Sequence, residues 1–136
     1  MRKLLFLFIA CLGAQLSMAQ CDITADICQD HITGDYLSDG QHYRSLLLEN
    51  QVAEFNATLY GGSTYRFAAC SGTQDGNLQF RIYDKERNLI FRNMEHNNAP
   101  YWDFKLESTM DVIIEAELDP LAGSSGCAVM LIGFLR

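Results

Sequence analysis

The sequence predicts an all-β protein, an antiparallel and jelly-roll-like β-sandwich of about eight short strands with one short N-terminal helix. Three observations lead to this prediction. Apolar and polar residues alternate with a period of two in most segments, which is typical of strands with one buried face. Turn-forming residues separate these segments about every 8–12 residues. The last segment, CAVMLIGFL, is apolar on both faces, which predicts a central and fully buried strand.

The predicted strands follow one another along the chain. The sixth places Trp102 and Phe104 on one face and Tyr101 on the other, so we expect Trp102 to lie in the core. YGGS (60–63) predicts a hairpin turn in which both glycines can adopt positive φ, and KERN (85–88) predicts a second turn. The predicted strands are YRSLLL (43–48), VAEFNATL (52–59), TYRFAAC (64–70), LQFRIYD (78–84), LIFRN (89–93), YWDFKL (101–106), DVIIEAEL (111–118) and CAVMLIGFL (127–135).

The segment before these strands lacks alternation. Ile23, Ile27 and His31 recur at i, i+4 and i+8, which predicts a short helix with these residues on its apolar face. A helix that ran through both Cys21 and Cys28 would hold their Cα atoms about 10 Å apart, at 1.5 Å rise per residue. Since a disulfide tolerates less than about 7 Å, those two cysteines can pair only if the helix starts later or is broken.

Residues 1–19 have the parts of a secretory signal peptide. Two basic residues come first, Leu4–Leu12 is an apolar stretch too short to span a membrane, and Ser17–Ala19 offers a cleavage site. We therefore predict an exported protein, periplasmic or extracellular, with a single β-sandwich domain over 20–136 and no transmembrane segment. Lipid attachment at Cys21 is the alternative, because a lipoprotein carries cysteine directly after its cleavage site.

The chain is acidic, and processing increases its charge. The formal net charge is −7, and removal of Arg2 and Lys3 with the signal peptide takes it to −9. Such a chain repels phosphate backbones and anionic membrane surfaces, so nucleic acid is excluded as a partner.

The mature chain keeps four cysteines, and an even number in a small exported domain indicates two disulfides. Of the three possible pairings we favour Cys70–Cys127 with Cys21–Cys28, because Cys70 ends one strand and Cys127 begins another. One feature conflicts with this choice. The alternation that directs Tyr65 inward sends Cys70 to the outer face, unless a β-bulge intervenes.

Oxygen-bearing side chains in two loops suggest a calcium site, since hard cations take oxygen ligands from loops. Asp75 and Asn77 lie in SGTQDGN, and Asp35 and Asp39 lie in GDYLSDG. Neither loop has the EF-hand pattern. The stronger calcium candidates are Asp75 and Asn77, and no other cofactor is expected.

Outward-facing aromatic residues suggest a ligand-binding surface. Tyr83 and Tyr101 share a strand face with polar neighbours and are the better candidates for contact with a protein or glycan partner. The wider set of aromatic candidates is Tyr36, Tyr43, Tyr60, Tyr83, Tyr101 and Trp102.

No catalytic signature is present in the sequence. There is no G-x-S-x-G motif, and the serines lie in turns. Glu115 and Glu117 share a strand face, as a glycosidase pair could, but such pairs on β-surfaces are usually solvated charge. We therefore expect a protein that is not an enzyme.

Three motifs carry a resemblance to a known family. GGSTYRF, LQFRIYDKERNLIF and YWDFKLESTMDVIIEAEL resemble the bacterial pre-peptidase C-terminal domain family and its small secreted relatives, over about Val52 to Leu135. The resemblance implies a jelly-roll-like sandwich with a non-catalytic accessory or binding role. The predicted function is thus an exported binding module. The alternative is a carbohydrate-binding or small glycan-hydrolysing domain.

Overall fold

The structure is a computed structural model that describes Met1, Lys3 and residues 20–123 and 125–136. The predicted signal peptide therefore lies outside the described residues except at Met1 and Lys3. A helix, α1, has its described part at 20–29. Eight strands follow, together with a 3₁₀ helix at Asn93–His96. The strands are β1 (Tyr36–Leu48), β2 (Val52–Leu59), β3 (Thr64–Ser71), β4 (Leu78–Asp84), β5 (Leu89–Arg92), β6 (Tyr101–Lys105), β7 (Met110–Leu118) and β8 (Ser125–Leu135).

The strands form two antiparallel sheets, which confirms the predicted fold class. Sheet A has the order β1-β8-β3-β6, and sheet B has the order β2-β7-β4-β5. Strand β8 lies between two neighbours and is buried on both faces along most of its length, as predicted. Among the described strands, β4 and β5 are the one consecutive pair that hydrogen-bond to each other. The other connections cross between the sheets, so strands distant in sequence become neighbours.

The predicted hairpin at 60–63 is wrong, because its two flanking strands lie in different sheets. Gly62 does have a positive φ of 82°, but Gly61 is needed for a different reason. A Cβ atom at Gly61 would lie 2.7 Å from the backbone Cα of Ser108. The turn at 85–88 is confirmed as the β4–β5 hairpin, where the Asn88 backbone N–H donates to Asp84.

The inner faces of the two sheets enclose the main core, which includes Phe67, Phe80, Ile114 and Met130. Trp102 packs against this core at the edge of sheet A, half-buried rather than enclosed. Its ring lies 5.2 Å from the ring of Phe91.

Helix α1 covers the outer face of sheet A and makes a second, smaller core. The predicted helix is present, but its predicted apolar face is wrong: Ile23 is 55% exposed. The buried stripe instead carries Cys21, Ala25 and Cys28, and continues to Ile32 beyond the helix. This layer explains why β8 is apolar on both faces, since one face meets sheet B and the other meets α1.

The four cysteines form two disulfides, but the favoured pairing is wrong. Cys21 bonds Cys127 with Cα atoms 5.3 Å apart, and Cys28 bonds Cys70 with Cα atoms 5.7 Å apart. Cys70 does face outward, as the alternation along β3 indicated, and the β3–β8 register continues through it without a shift. Because α1 runs through both Cys21 and Cys28, each of them bonds the sheet beneath instead of the other.

Candidate functional site

The outer face of sheet A carries a cluster that we call the tyrosine–arginine patch, composed of His31, Tyr36, Arg66, Tyr101 and Asp103. At its centre the guanidinium carbon of Arg66 lies 4.2 Å from the ring centroid of Tyr36 and 4.4 Å from that of Tyr101. The cation is therefore held between two aromatic rings, an arrangement that stabilises a partly desolvated charge.

A carboxylate fixes the orientation of this guanidinium. Arg66 Nε donates to Asp103 Oδ1 at 2.7 Å and Arg66 Nη2 donates to Oδ2 at 2.8 Å, while Nη1 donates to the His31 carbonyl oxygen at 3.3 Å. The hydrogen bonds from Arg66 hold the pKa of Asp103 below its usual value, and burial opposes this shift. The same hydrogen bonds raise the pKa of Arg66. Bidentate pairs of this kind are geometrically specific, so Arg66 is preorganised.

The sheet register brings these residues together. Arg66 on β3 is directly opposite Asp103 on β6, and on its other side Arg66 is opposite Gly133 on β8. Gly133 leaves room for Ile32, because a Cβ atom there would lie 2.8 Å from Ile32 Cγ2. The chain that follows α1 can thus lie close to the sheet and deliver His31 and Tyr36 to the patch.

A further contact joins the patch to the loop after β3. His31 Nε2 lies 2.9 Å from Asp75 Oδ1, and the His31 ring centroid lies 5.4 Å from that of Tyr101. Tyr101 is 40% exposed, while Tyr36 and Arg66 are half-buried. The patch is thus an open surface of aromatic and charged groups that contact one another, with no enclosed cleft around a nucleophile.

The structure separates the two tyrosines that the sequence predicted as ligand contacts. Tyr101 belongs to the patch on sheet A. Tyr83 lies on β4 of sheet B, opposite Ile113 on β7, and therefore faces outward on the other side of the sandwich. A single partner surface on one face cannot include both.

The outer face of sheet B is instead crossed by ion pairs. Arg81 Nη2 donates to Glu117 Oε1 at 2.6 Å, and Arg87 donates to Glu115 at 3.0 Å and to Glu54 at 2.7 Å. Glu115 and Glu117, which share a strand face as the sequence indicated, are therefore each engaged by an arginine.

The residues of the predicted calcium site have separate contacts. Asp75 interacts with His31, and the Asn77 side-chain amide donates to the Ser71 carbonyl oxygen at 3.1 Å. Within the described residues, no three His, Cys, Asp or Glu side chains are grouped so that they could hold a metal ion. Calcium binding at Asp75 and Asn77 stays a prediction.

The sequence pattern identified Tyr101 and included Tyr36 among the aromatic candidates, but it did not indicate Arg66, Asp103 or His31. A signal for two of them was present, since Arg66 alternates with the inward Tyr65 and Phe67 and Asp103 alternates with Trp102 and Phe104. What the sequence did not reveal is that β3 and β6, which are distant in the chain, are neighbours.

Comparisons with known proteins bear on the fold of this chain alone. No protein-family profile matches the chain and no curated protein does, so the resemblance to pre-peptidase C-terminal domains stays a prediction. A solved structure with a similar fold is PliG of Aeromonas hydrophila, described as a periplasmic lysozyme inhibitor of g-type lysozyme. The TM-score is 0.53 at 12% identity, over 69% of this chain and 84% of that chain. In the described part of the chain, no helix has the length and apolar character needed to cross a membrane.

Proposed function

We propose that this chain is an exported, non-catalytic binding protein whose partner is another protein, and that the partner contacts the tyrosine–arginine patch. The observation that carries the proposal is Arg66, held between Tyr36 and Tyr101 and oriented by Asp103. Tyrosine and arginine are enriched among the residues that dominate binding energy at protein interfaces. The two disulfides and the signal peptide predicted from the sequence support export.

Preorganisation is the physical reason to assign binding to this surface. The side chains of the patch are already ordered, so a partner that docks on them loses less conformational entropy than it would on mobile side chains. The disulfides fasten α1 to sheet A at Cys21 and Cys28, ahead of the segment that brings His31 and Tyr36 to the patch.

Charge supports a partner of basic character. Each of five arginines is paired with a carboxylate, namely Arg44, Arg66, Arg81, Arg87 and Arg92. Acidic side chains outnumber basic ones, so negative charge remains in excess on the surface. A net charge near −9 attracts a positively charged protein and accelerates its association at low ionic strength.

The structural neighbour provides the first partner to test. PliG is described as an inhibitor of g-type lysozyme, and the shared fold makes the same class of target a reasonable first probe for this chain, by fold-level analogy alone.

The test is calorimetric titration of the oxidised protein with a g-type lysozyme, together with an assay of lysozyme activity. Arg66→Ala and Tyr101→Ala are each expected to weaken binding at least about tenfold, which corresponds to about 1.4 kcal/mol. Arg81→Ala is the matched control, because it also removes an arginine paired with a carboxylate, on the opposite face of the sandwich. Tyr101 is exposed, so its variant keeps the test valid if Arg66→Ala perturbs folding.

Equal weakening by Arg81→Ala would contradict the assignment of binding to the patch. Absence of any binding would exclude g-type lysozyme as the partner.

A further inference from the structure

A cleft opens between the edge strands β1 and β2, at the end of the sandwich where β2 connects to β3. Its volume is about 620 Å³, within the range of about 300–1,000 Å³ that holds small-molecule ligands. We call it the β1–β2 cleft. Its polar and aromatic lining includes Asp39, Gln41, Tyr43, Asn56, Tyr60 and Tyr65.

A β-bulge in β1 forms the mouth of this cleft. Ser38 is opposite Gly133 and His42 is opposite Leu131, so three residues of β1 lie against a single residue of β8. Gly40 permits the bulge with a φ of 81°, and the Gln41 backbone N–H donates to Asp39 Oδ1 at 2.8 Å. Bulges of this kind redirect side chains next to binding sites, and this one directs Asp39 and Gln41 to the cleft.

The polar groups of the cleft include both hydrogen-bond donors and hydrogen-bond acceptors. Tyr65 accepts a hydrogen bond from the Tyr60 backbone N–H at 2.9 Å, so its own hydroxyl proton can be donated to a ligand. Gln41 adds a side-chain amide, which both donates and accepts, and Asp39 adds a carboxylate. Asn56 lines the cleft along the edge of β2, while its place between the inward Phe55 and Ala57 directs its side chain to the outer face of sheet B. Protein around Asp39 displaces water and raises the pKa of this carboxyl, against the opposing effect of the Gln41 N–H.

Aromatic and aliphatic surfaces complete the site. The Tyr43 ring packs against Phe55 at a centroid distance of 5.5 Å, and Tyr60 is 64% exposed at the rim. Ile132 and Leu59 form apolar parts of the wall. A ligand in this cleft therefore meets flat apolar surfaces together with convergent amide, hydroxyl and carboxylate groups.

From this lining we infer that the β1–β2 cleft binds a saccharide unit and does not hydrolyse it. A sugar ring has apolar C–H faces that pack on tyrosine rings, and hydroxyls around its edge that need both donors and acceptors. An organic cation would fit less well, because it uses acceptors only and would leave the Tyr65 O–H and the amide N–H of Gln41 without a partner.

Binding without hydrolysis follows from the count of acids. Glycoside hydrolysis generally uses two carboxylates that flank the bond to be cleaved. Among the described residues that line the cleft, Asp39 is the one carboxylate. The inference does not depend on the proposed protein partner, since the cleft lies between the sheet edges and the patch lies on the outer face of sheet A.

The test is an NMR titration of the ¹⁵N-labelled oxidised protein with chitotriose, cellotriose and maltotriose, and separately with choline. At least one trisaccharide is expected to shift the backbone amides of Gln41, Tyr60 and Ser63 in a saturable way, with a Kd of about 1 mM or tighter. Tyr60→Ala and Gln41→Ala change exposed residues of the cleft and should each weaken binding about tenfold. Tyr101→Ala is the control and should leave the saccharide titration unchanged.

Three outcomes would overturn the inference: no shift at these amides with any trisaccharide, a response to choline alone, or wild-type affinity in both the Gln41 and the Tyr60 variants. Incubation of the protein with the bound trisaccharide should release no shorter sugar, and its release would overturn the non-hydrolytic assignment. None of these outcomes bears on the patch, because the calorimetric test of the patch uses a different ligand, and Tyr101→Ala serves there as a test variant and here only as a control.

Discussion

Replacement of Cys21 and Cys127 by serine is expected to lower the free energy of unfolding by about 5 kcal/mol. This disulfide joins residues 106 positions apart in the sequence, so its loss releases a large part of the chain in the unfolded state. It also frees the start of α1 from sheet A, where Cys21 and Cys127 are both buried. Urea unfolding of the wild type and the double variant, followed by far-ultraviolet circular dichroism, measures the difference.

The second disulfide provides an internal comparison. Serine at both Cys28 and Cys70 should also destabilise the fold, by about 4 kcal/mol, because this bond spans a shorter separation of 42 residues. A loss below about 1 kcal/mol for the Cys21–Cys127 bond would contradict the account, since α1 would then stay in place without it.

Asn93→Ala is expected to cost about 3–4 kcal/mol, because it orphans several buried backbone groups at once. Asn93 is fully buried and follows the last residue of β5. Its side-chain oxygen accepts from the Phe80 N–H at 2.8 Å, and its side-chain nitrogen donates to the Leu78 carbonyl oxygen at 3.0 Å and to the Ala99 carbonyl oxygen at 3.1 Å. The side-chain amide of Asn93 thus bonds to the backbone of β4 just beyond the end of β5, where a further β5 residue would otherwise pair.

Asn56→Ala is the matched control for this prediction. Asn56 is exposed on the edge strand β2, and its replacement should change the free energy of unfolding by less than about 0.5 kcal/mol. Chemical denaturation of both variants makes the comparison. Similar stabilities for the two would show that the buried hydrogen bonds of Asn93 are replaced by others and that its role is misassigned.

Local patterns predicted the strands well because the alternation within each strand reflects which of its two faces is buried. Alternation along β4 and β7 identified Phe80, Ile114 and their neighbours as core, and the two apolar faces of CAVMLIGFL identified β8 as central. Asn93 could not be recognised in this way. Its role depends on the exact point at which β5 ends, which periodicity does not define.

The predicted cysteine pairing was wrong, although two features of the sequence favoured the correct one. Alternation sent Cys70 outward, and the apolar outer face of β8 required a cover. The helix was the available cover, with Cys21, Ala25 and Cys28 at the spacing of a buried stripe. The choice of Ile23 and Ile27 as the apolar face obscured this, because isoleucine is more hydrophobic than cysteine or alanine in isolation.

The two candidate sites depend on contacts between distant segments, which local patterns do not specify. The tyrosine–arginine patch needs β3 beside β6, and the β1–β2 cleft needs a bulge in β1 next to the edge of the other sheet. Gly40 ends the segment GDYLSDG, which the sequence predicted as a loop, whereas β1 already begins at Tyr36 and contains Gly40.

The most direct test of the proposed function is site-specific photo-crosslinking in cells that export the protein. Tyr101→p-benzoylphenylalanine places the crosslinker in the patch, and Tyr83→p-benzoylphenylalanine places it on the opposite face of the sandwich at another outward tyrosine. We expect a discrete adduct with one other exported protein from position 101, and no such adduct from position 83. The adduct from position 101 should be lost when Arg66→Ala is added. The same adduct from position 83, or none from position 101, would contradict the assignment of the patch as the partner surface.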